Sequence, residues 1–285
     1  MRARRWALFS CAAAALLCGC TRYFFYPDSH VYGEPQRLGL AFDTPTFTSL
    51  DGTALTGIFF HSAVKPPLGT VVHFHGNGGN ITSQWGFSAW LAEDGFNVFI
   101  PDYRGFGASE GSPTESGAVQ DAVAALRYVR SRPDVDPGKL LVFGQSLGGA
   151  VAVAAVALSS AGVRALALES PFSSWRAIAR DKLCQFWLTR PLAWPLTWLL
   201  VSDRYDPLKM IRRLPRIPIL VVHGTADKTV PYKEGLALYR AAREPKEMWS
   251  VAGGDHVQAF TLFGREYRPR LVRFFKNALG APTGK

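Results

Sequence analysis

The 285-residue chain is 48% hydrophobic and 13% aromatic, which is long and apolar enough to bury a full core, and α/β chains of this length are commonly one domain. Its formal net charge of +10 includes no dense Lys/Arg block. That balance argues against nucleic-acid binding and favours attraction to anionic membrane surfaces.

The chain opens with Arg2, Arg4 and Arg5, a short apolar stretch from Trp6 to Leu17, and then small residues, the pattern of a secretory leader. The stretch is too short to span a bilayer, which takes about 20 apolar residues. Its end, Leu16-Leu17-Cys18-Gly19-Cys20, resembles the bacterial lipobox. That resemblance implies a lipoprotein signal peptide over residues 1–19 and lipidation of Cys20. Because Thr21 and not an aspartate follows, it also implies the outer membrane, with the protein lipid-anchored in the bacterial cell envelope and facing the periplasm. An ordinary cleaved signal peptide and an uncleaved anchor are the alternatives. With Cys11 and Cys18 in the leader and Cys20 lipidated, Cys184 is the one remaining thiol, so no internal disulfide is expected. Cys184 lies in an apolar stretch without a neighbouring His or Asn and reads as structural.

Residues 20–40, with Pro27, Gly33 and Pro35, read as a tether, and residues 41–285 as the main domain. Phe47–Ser49 and Thr53–His61 bracket Asp51-Gly52, a turn signal that predicts an antiparallel hairpin. Strand-length apolar runs follow at Thr70–His73, Val98–Ile100, Leu140–Phe143, Ala165–Leu168, Ile219–Val222 and Met248–Val251. They alternate with helical patterns at Ser83–Asp94, Thr114–Arg130, Ser146–Ser159, Pro231–Arg243 and Arg265–Leu279. This predicts an α/β fold: a mostly parallel, eight-stranded sheet entered through the hairpin, with helices on both faces. Between Glu169 and Ile219 lie about fifty residues, far more than one crossover needs. They predict a small helical cap at about 171–207, with its tryptophans Trp187, Trp194 and Trp198 packed over the active-site end or, alternatively, facing a membrane.

The chemistry-bearing residues punctuate this pattern. His75-Gly76-Asn77-Gly78-Gly79-Asn80 follows the first long strand, and its glycines let backbone N–H groups approach a substrate carbonyl, as an oxyanion hole requires. A phosphate-cradling loop is the rival reading, without the lysine such a loop needs. Asp102 and Arg104, in Pro101-Asp102-Tyr103-Arg104-Gly105, read as an ion-paired structural turn. Ser146, in Gly144-Gln145-Ser146-Leu147-Gly148, sits where a strand turns sharply into a helix, the setting of an exposed nucleophile.

A serine hydroxyl needs an imidazole to take its proton, and an acid to orient that imidazole. Among six histidines only His256, in Gly253-Gly254-Asp255-His256, follows the last strand in a short loop leading into a helix; His75 and His223 read as braces for their turns. Asp227, in His223-Gly224-Thr225-Ala226-Asp227, is the acid candidate. Asp203 and Asp206 read as helix caps, and Asp255 as pointing elsewhere. The order Ser146, Asp227, His256 is the order this elbow takes.

Taken with the His75-Gly76-Asn77 turn, these motifs resemble the α/β-hydrolase superfamily from about Tyr23 onward. The serine-aminopeptidase-like branch, with bacterial lipoprotein hydrolases and membrane-bound protein depalmitoylases, is the most similar. The resemblance implies oxyanion donors at the amides of Asn77 and Leu147; the sequence leaves Gly76 and Gly78 open. It implies a serine hydrolase acting on carboxylic esters or thioesters through an acyl-enzyme, with no metal or organic cofactor. The expected partners are a small-molecule or lipid acyl substrate and a membrane surface reached through the N-terminal lipid. A peptidase or amidase of the same fold and a catalytically silent binding scaffold are the alternatives.

Overall fold

The structure, a computed structural model, describes residues 25–280 apart from 185, 186, 188 and 189. The leader, Cys20 and the last five residues lie outside the described residues. Strands β1 (Phe42–Asp43), β2 (Thr46–Thr48), β3 (Ala54–Phe60), β4 (Gly69–Phe74), β5 (Phe96–Pro101), β6 (Leu140–Gln145), β7 (Val163–Glu169), β8 (Ile219–Gly224) and β9 (Lys246–Val251) form one sheet. Its order is β1-β3-β5-β4-β6-β7-β8-β9, with β2 also paired to β3. The expected hairpin is β2–β3, in antiparallel register through Thr48 and Ala54. From β5 through β4 to β9 every pairing is parallel. The sheet has nine strands and not eight, because Phe42–Asp43 adds a two-residue edge against Phe59 and Phe60.

Continuous apolar strands follow from burial on both faces. Successive side chains alternate, so Leu140 and Val142 enter one core while Leu141 and Phe143 enter the other. The first core is covered by α2 (Glu115–Ser131), α3 (Leu147–Leu158) and α7 (Tyr232–Ala241), the second by α8 (Gly264–Gly280). Burying each such Leu or Phe contributes about 1.5–3 kcal/mol. The helix expected over Ser83–Asp94 is broken: α1 (Ile81–Gln84) gives way to two 3-10 turns, Trp85–Phe87 and Ala89–Ala92. Ser88, at the break, turns its hydroxyl inward to within 2.8 Å of His73 Nδ1.

The insertion after β7 contains α4 (Trp175–Cys184), α5 (Ala193–Leu200) and α6 (Pro207–Met210). Its tryptophans 187, 194 and 198 are exposed, so they do not pack over the site. Cys184 is likewise exposed at the end of α4, where no core surrounds it. The seam between the insertion and the body is held by Glu115, buried at the start of α2, whose carboxylate accepts from Tyr205 N–H at 3.3 Å. Burial pushes this carboxyl up to about 7, against the Tyr205 and Ser202 hydrogen bonds that lower it.

A glutamate in the unfolded chain loses its proton near 4.5, so between there and about 7 the folded chain holds a proton that the unfolded chain lacks. Glu115 therefore favours folding less as pH rises through that window. Glu115→Gln is expected to gain thermal stability relative to wild type between pH 5 and pH 8, read by unfolding at both. A variant-minus-wild-type difference that stays constant or falls as pH rises would contradict this assignment.

Candidate active site

The site is built at the carboxyl ends of the central strands, where β6 turns into α3. Ser146 takes φ 52° and ψ −115°, a conformation costing an L-residue about 1–3 kcal/mol, and so stands at the apex of the turn. The flanking glycines make that turn possible. A Cβ on Gly144 would lie 2.6 Å from the Gly148 carbonyl oxygen, and one on Gly148 would overlap the Phe74 and His75 carbonyls. Those obstacles are backbone atoms and cannot swing away. Gly148→Ala is expected to destabilise the fold by about 3 kcal/mol, the upper end of overpacking costs, and to lower the thermal midpoint accordingly. An unchanged midpoint would show that the elbow can relax.

Three residues far apart in the chain meet here. Ser146 Oγ lies 2.9 Å from His256 Nε2, and His256 Nδ1 lies 2.8 Å from Asp227 Oδ2. The aspartate oxygen only accepts, so Nδ1 carries the proton and Nε2 offers a lone pair to the Ser146 hydroxyl. Asp227 is fixed in turn: its Oδ1 accepts from Thr229 N–H at 2.9 Å and Val230 N–H at 2.8 Å. Burial works to raise its carboxyl, but the hydrogen bonds from His223 and His256 outweigh it and hold the group well below the usual carboxylate range. Asp227 thus stays charged, beside an imidazole whose other nitrogen faces the hydroxyl.

The remaining candidates fall around this line. Asn77 and Leu147 line one pocket with Ser146 and His256. Leu147 is the first residue of α3, so its N–H has no acceptor within that helix. Asn77 Oδ1 accepts from Gly78 N–H at 3.1 Å and Tyr26 N–H at 2.9 Å. His75 Nδ1–H donates to the Gly76 carbonyl, 2.8 Å away, and His223 Nε2–H donates to the Val230 carbonyl at 2.9 Å, so both brace turns. Asp255 accepts from Lys228 and His256 backbone N–H groups and does not meet the imidazole. Asp206 caps α6 through Leu208 N–H, while Asp203 pairs with Arg176 and Lys209. The turn at Pro101–Gly105 is structural, but Arg104 pairs with Asp51 and Asp121; Asp102 instead accepts from Ile81 N–H.

Two contributors carried no sequence signal. The segment expected as a tether is packed against the site: Tyr26 lines the pocket, Phe25 is buried against Phe106 and Trp175, and Asp28 holds Gly107 and Asn80 through its carbonyl. Behind the elbow runs a buried polar chain. Ser88 Oγ donates to His73 Nδ1, His73 Nε2 to Gln145 Oε1 at 2.9 Å, and Gln145 Nε2 to Glu169 Oε2 at 2.6 Å. Burial drives the His73 ring down to about 3, so it stays neutral and can both accept and donate. Glu169 Oε1 then accepts Ala259 N–H at 2.9 Å, and Ser170 Oγ accepts Val257 N–H at 3.3 Å. Both bonds grip the loop that carries His256. Among the described residues the non-glycine positive φ angles belong to Ser146, Ser170 and Val257, so the backbone strain is concentrated at this junction.

The pocket has a volume of about 260 Å³ and a mostly apolar lining that includes Phe172, Trp175, Ile178 and Val230, with Lys182 at its edge. A parallel sheet with antiparallel entry strands and a strained serine turn between β6 and α3 defines an α/β hydrolase. The chain belongs to the family described as serine aminopeptidase, S33, whose model matches residues 65–217. It is 39% identical over 272 residues to the uncharacterized protein YfhR of Salmonella typhi, covering 90% of this chain and 88% of that one. It is 32% identical over 250 residues to the alpha/beta hydrolase domain-containing protein WAV2 of Arabidopsis thaliana, covering 85% and 81%. In three dimensions it resembles the Pyrococcus furiosus esterase Pf2001 with a TM-score of 0.72 at 19% identity, covering 89% of this chain and 99% of that one. That likeness speaks to the fold.

Proposed function

We propose that the protein is a serine hydrolase that cleaves carboxylic esters or thioesters through an acyl-enzyme on Ser146. The observation that carries this reading is the hydrogen-bonded line from Ser146 Oγ through His256 to Asp227 Oδ2, opening onto an apolar pocket. As Oγ attacks an acyl carbonyl, its proton passes to His256 Nε2. Asp227 stabilises the resulting imidazolium through Nδ1–H. The developing oxyanion is received by the amides of Asn77 and Leu147, each such donor being worth about 2.7–4 kcal/mol in the transition state. His256 then returns the proton to the leaving group, and the acyl group stays on Oγ. Water, deprotonated by the same imidazole, releases the acid and regenerates the serine.

The lining of Phe172, Trp175, Ile178 and Val230 suits an acyl chain, and among the described residues that line it there is no acidic cluster to hold a free amine. Anchoring at the bacterial envelope through Cys20, and acyl substrates drawn from lipid or lipidated protein, follow from the lipobox and the resemblance to depalmitoylases. The family's description favours a second reading, an aminopeptidase of the same fold. Turnover of acyl nitrophenyl esters and thioesters, compared with amino-acid nitroanilides, separates the two. Ester or thioester turnover should dominate; a preference for the aminoacyl amides would overturn the esterase reading.

A further inference from the structure

Helix α5 is packed inside out. Its sequence, Ala-Trp-Pro-Leu-Thr-Trp-Leu-Leu, has no charged residue, yet only the small Ala193 and Thr197 are buried. Trp194, Trp198 and Leu199 are 69%, 71% and 59% exposed. A helix of a water-facing domain turns its large apolar residues toward the core, where each would gain about 1.5–3 kcal/mol. Here they stay exposed to solvent, even though Arg180 of α4 lies against the Trp194 ring.

The surroundings say what covers this face. From residue 176 to 204 the insertion holds five cations, Arg176, Arg180, Lys182, Arg190 and Arg204, against Asp181 and Asp203. Both acids already face cations: Asp203 is bridged by Arg176 and Lys209, and Asp181 lies 4.0 Å from Lys233. The Arg180 guanidinium sits 4.4 Å over the Trp194 ring, which sets a positive group directly beside the exposed indole. Tryptophan flanked by cations is the composition of a surface lying at the level of lipid headgroups, with rings at the acyl boundary and guanidinium groups among phosphates. A second copy fits less well, since a self-complementary contact through this face would bring the two cation sets together.

The position of the chain's start agrees. Phe25, the first described residue, packs with its ring centroid 6.1 Å from that of Trp175, the first residue of α4, so the described chain begins beside the insertion. α4 lines the pocket with Trp175, Ile178 and Lys182, and its Arg180 meets α5. One helix thereby links the apolar outer face to the site.

We infer that the outer face of α5 is a membrane-docking surface for an anionic phospholipid bilayer, with Trp194 and Trp198 inserted at the interface. The inference goes beyond the hydrolase reading and stands independently of it. The test is quenching of tryptophan fluorescence in the full-length chain by phosphatidylglycerol–phosphatidylcholine vesicles whose acyl chains carry bromine. Wild type and Trp194→Phe/Trp198→Phe are compared, both exposed positions whose replacement leaves the core untouched. The variant should lose about half or more of the quenching seen in wild type, and pure phosphatidylcholine should quench wild type less. Equal quenching of the two proteins would place α5 away from the bilayer and overturn the inference. So would unquenched tryptophans together with concentration-dependent sedimentation, the sign that a second copy covers the face.

Discussion

Ser146→Ala is expected to lower turnover on a short-chain nitrophenyl ester by about a millionfold while leaving the fold intact. The expectation follows from the geometry around Oγ. The hydroxyl is the group 2.9 Å from His256 Nε2, so its loss leaves the imidazole with no proton to take and the acyl carbon with no attacking oxygen. Alanine keeps a Cβ in the same strained conformation that serine already occupies at φ 52°, so circular dichroism and the thermal midpoint should change little. What activity survives would come from binding and the oxyanion donors acting on water. Turnover within tenfold of wild type would show that another group performs the attack.

Asp227→Asn is the second large effect, expected at about ten-thousandfold in kcat with KM little changed. The substituted amide cannot choose its orientation freely. Oδ1 receives two backbone N–H groups, from Thr229 and Val230, so the amide oxygen stays there and the NH2 replaces Oδ2. That NH2 faces His256 Nδ1, 2.8 Å from the position of Oδ2. Two donors cannot share the contact, and the imidazole shifts its proton to Nε2, where it points at Ser146 and can no longer act as base. The negative charge that supports the imidazolium is lost as well. A full kinetic profile against pH measures both consequences; kcat within tenfold of wild type would show that Asp227 does not orient the imidazole.

Much of the architecture was legible because it depends on local patterns. Strands such as Leu140–Gln145 are buried on both faces, which forces continuous apolar runs, and the elbow at Ser146 needs Gly144 and Gly148 for backbone room. The loops at Asp227 and His256 were legible as turns following strands, and the sheet's parallel order brings their ends together. What escaped prediction depends on contacts between distant segments. Nothing local marks Phe25 as a core residue, since its partners are Phe106 and Trp175. Ser88, where the expected helix breaks, bonds His73 from a distant strand, and Arg104 pairs with Asp51 and Asp121 and not with its neighbour Asp102. The exposed tryptophans of α5 reverse the usual rule that aromatic stripes enter the core, as a surface built for a partner does.

The proposed mechanism requires His256 to make the Ser146 hydroxyl a nucleophile. Labelling of the folded full-length chain with a fluorophosphonate, followed by peptide mass mapping, tests it most directly. A single adduct on Ser146 is expected, lost when His256 is replaced by alanine. No adduct on the folded wild-type chain, an adduct on another residue, or labelling of Ser146 that is undiminished in His256→Ala would contradict it.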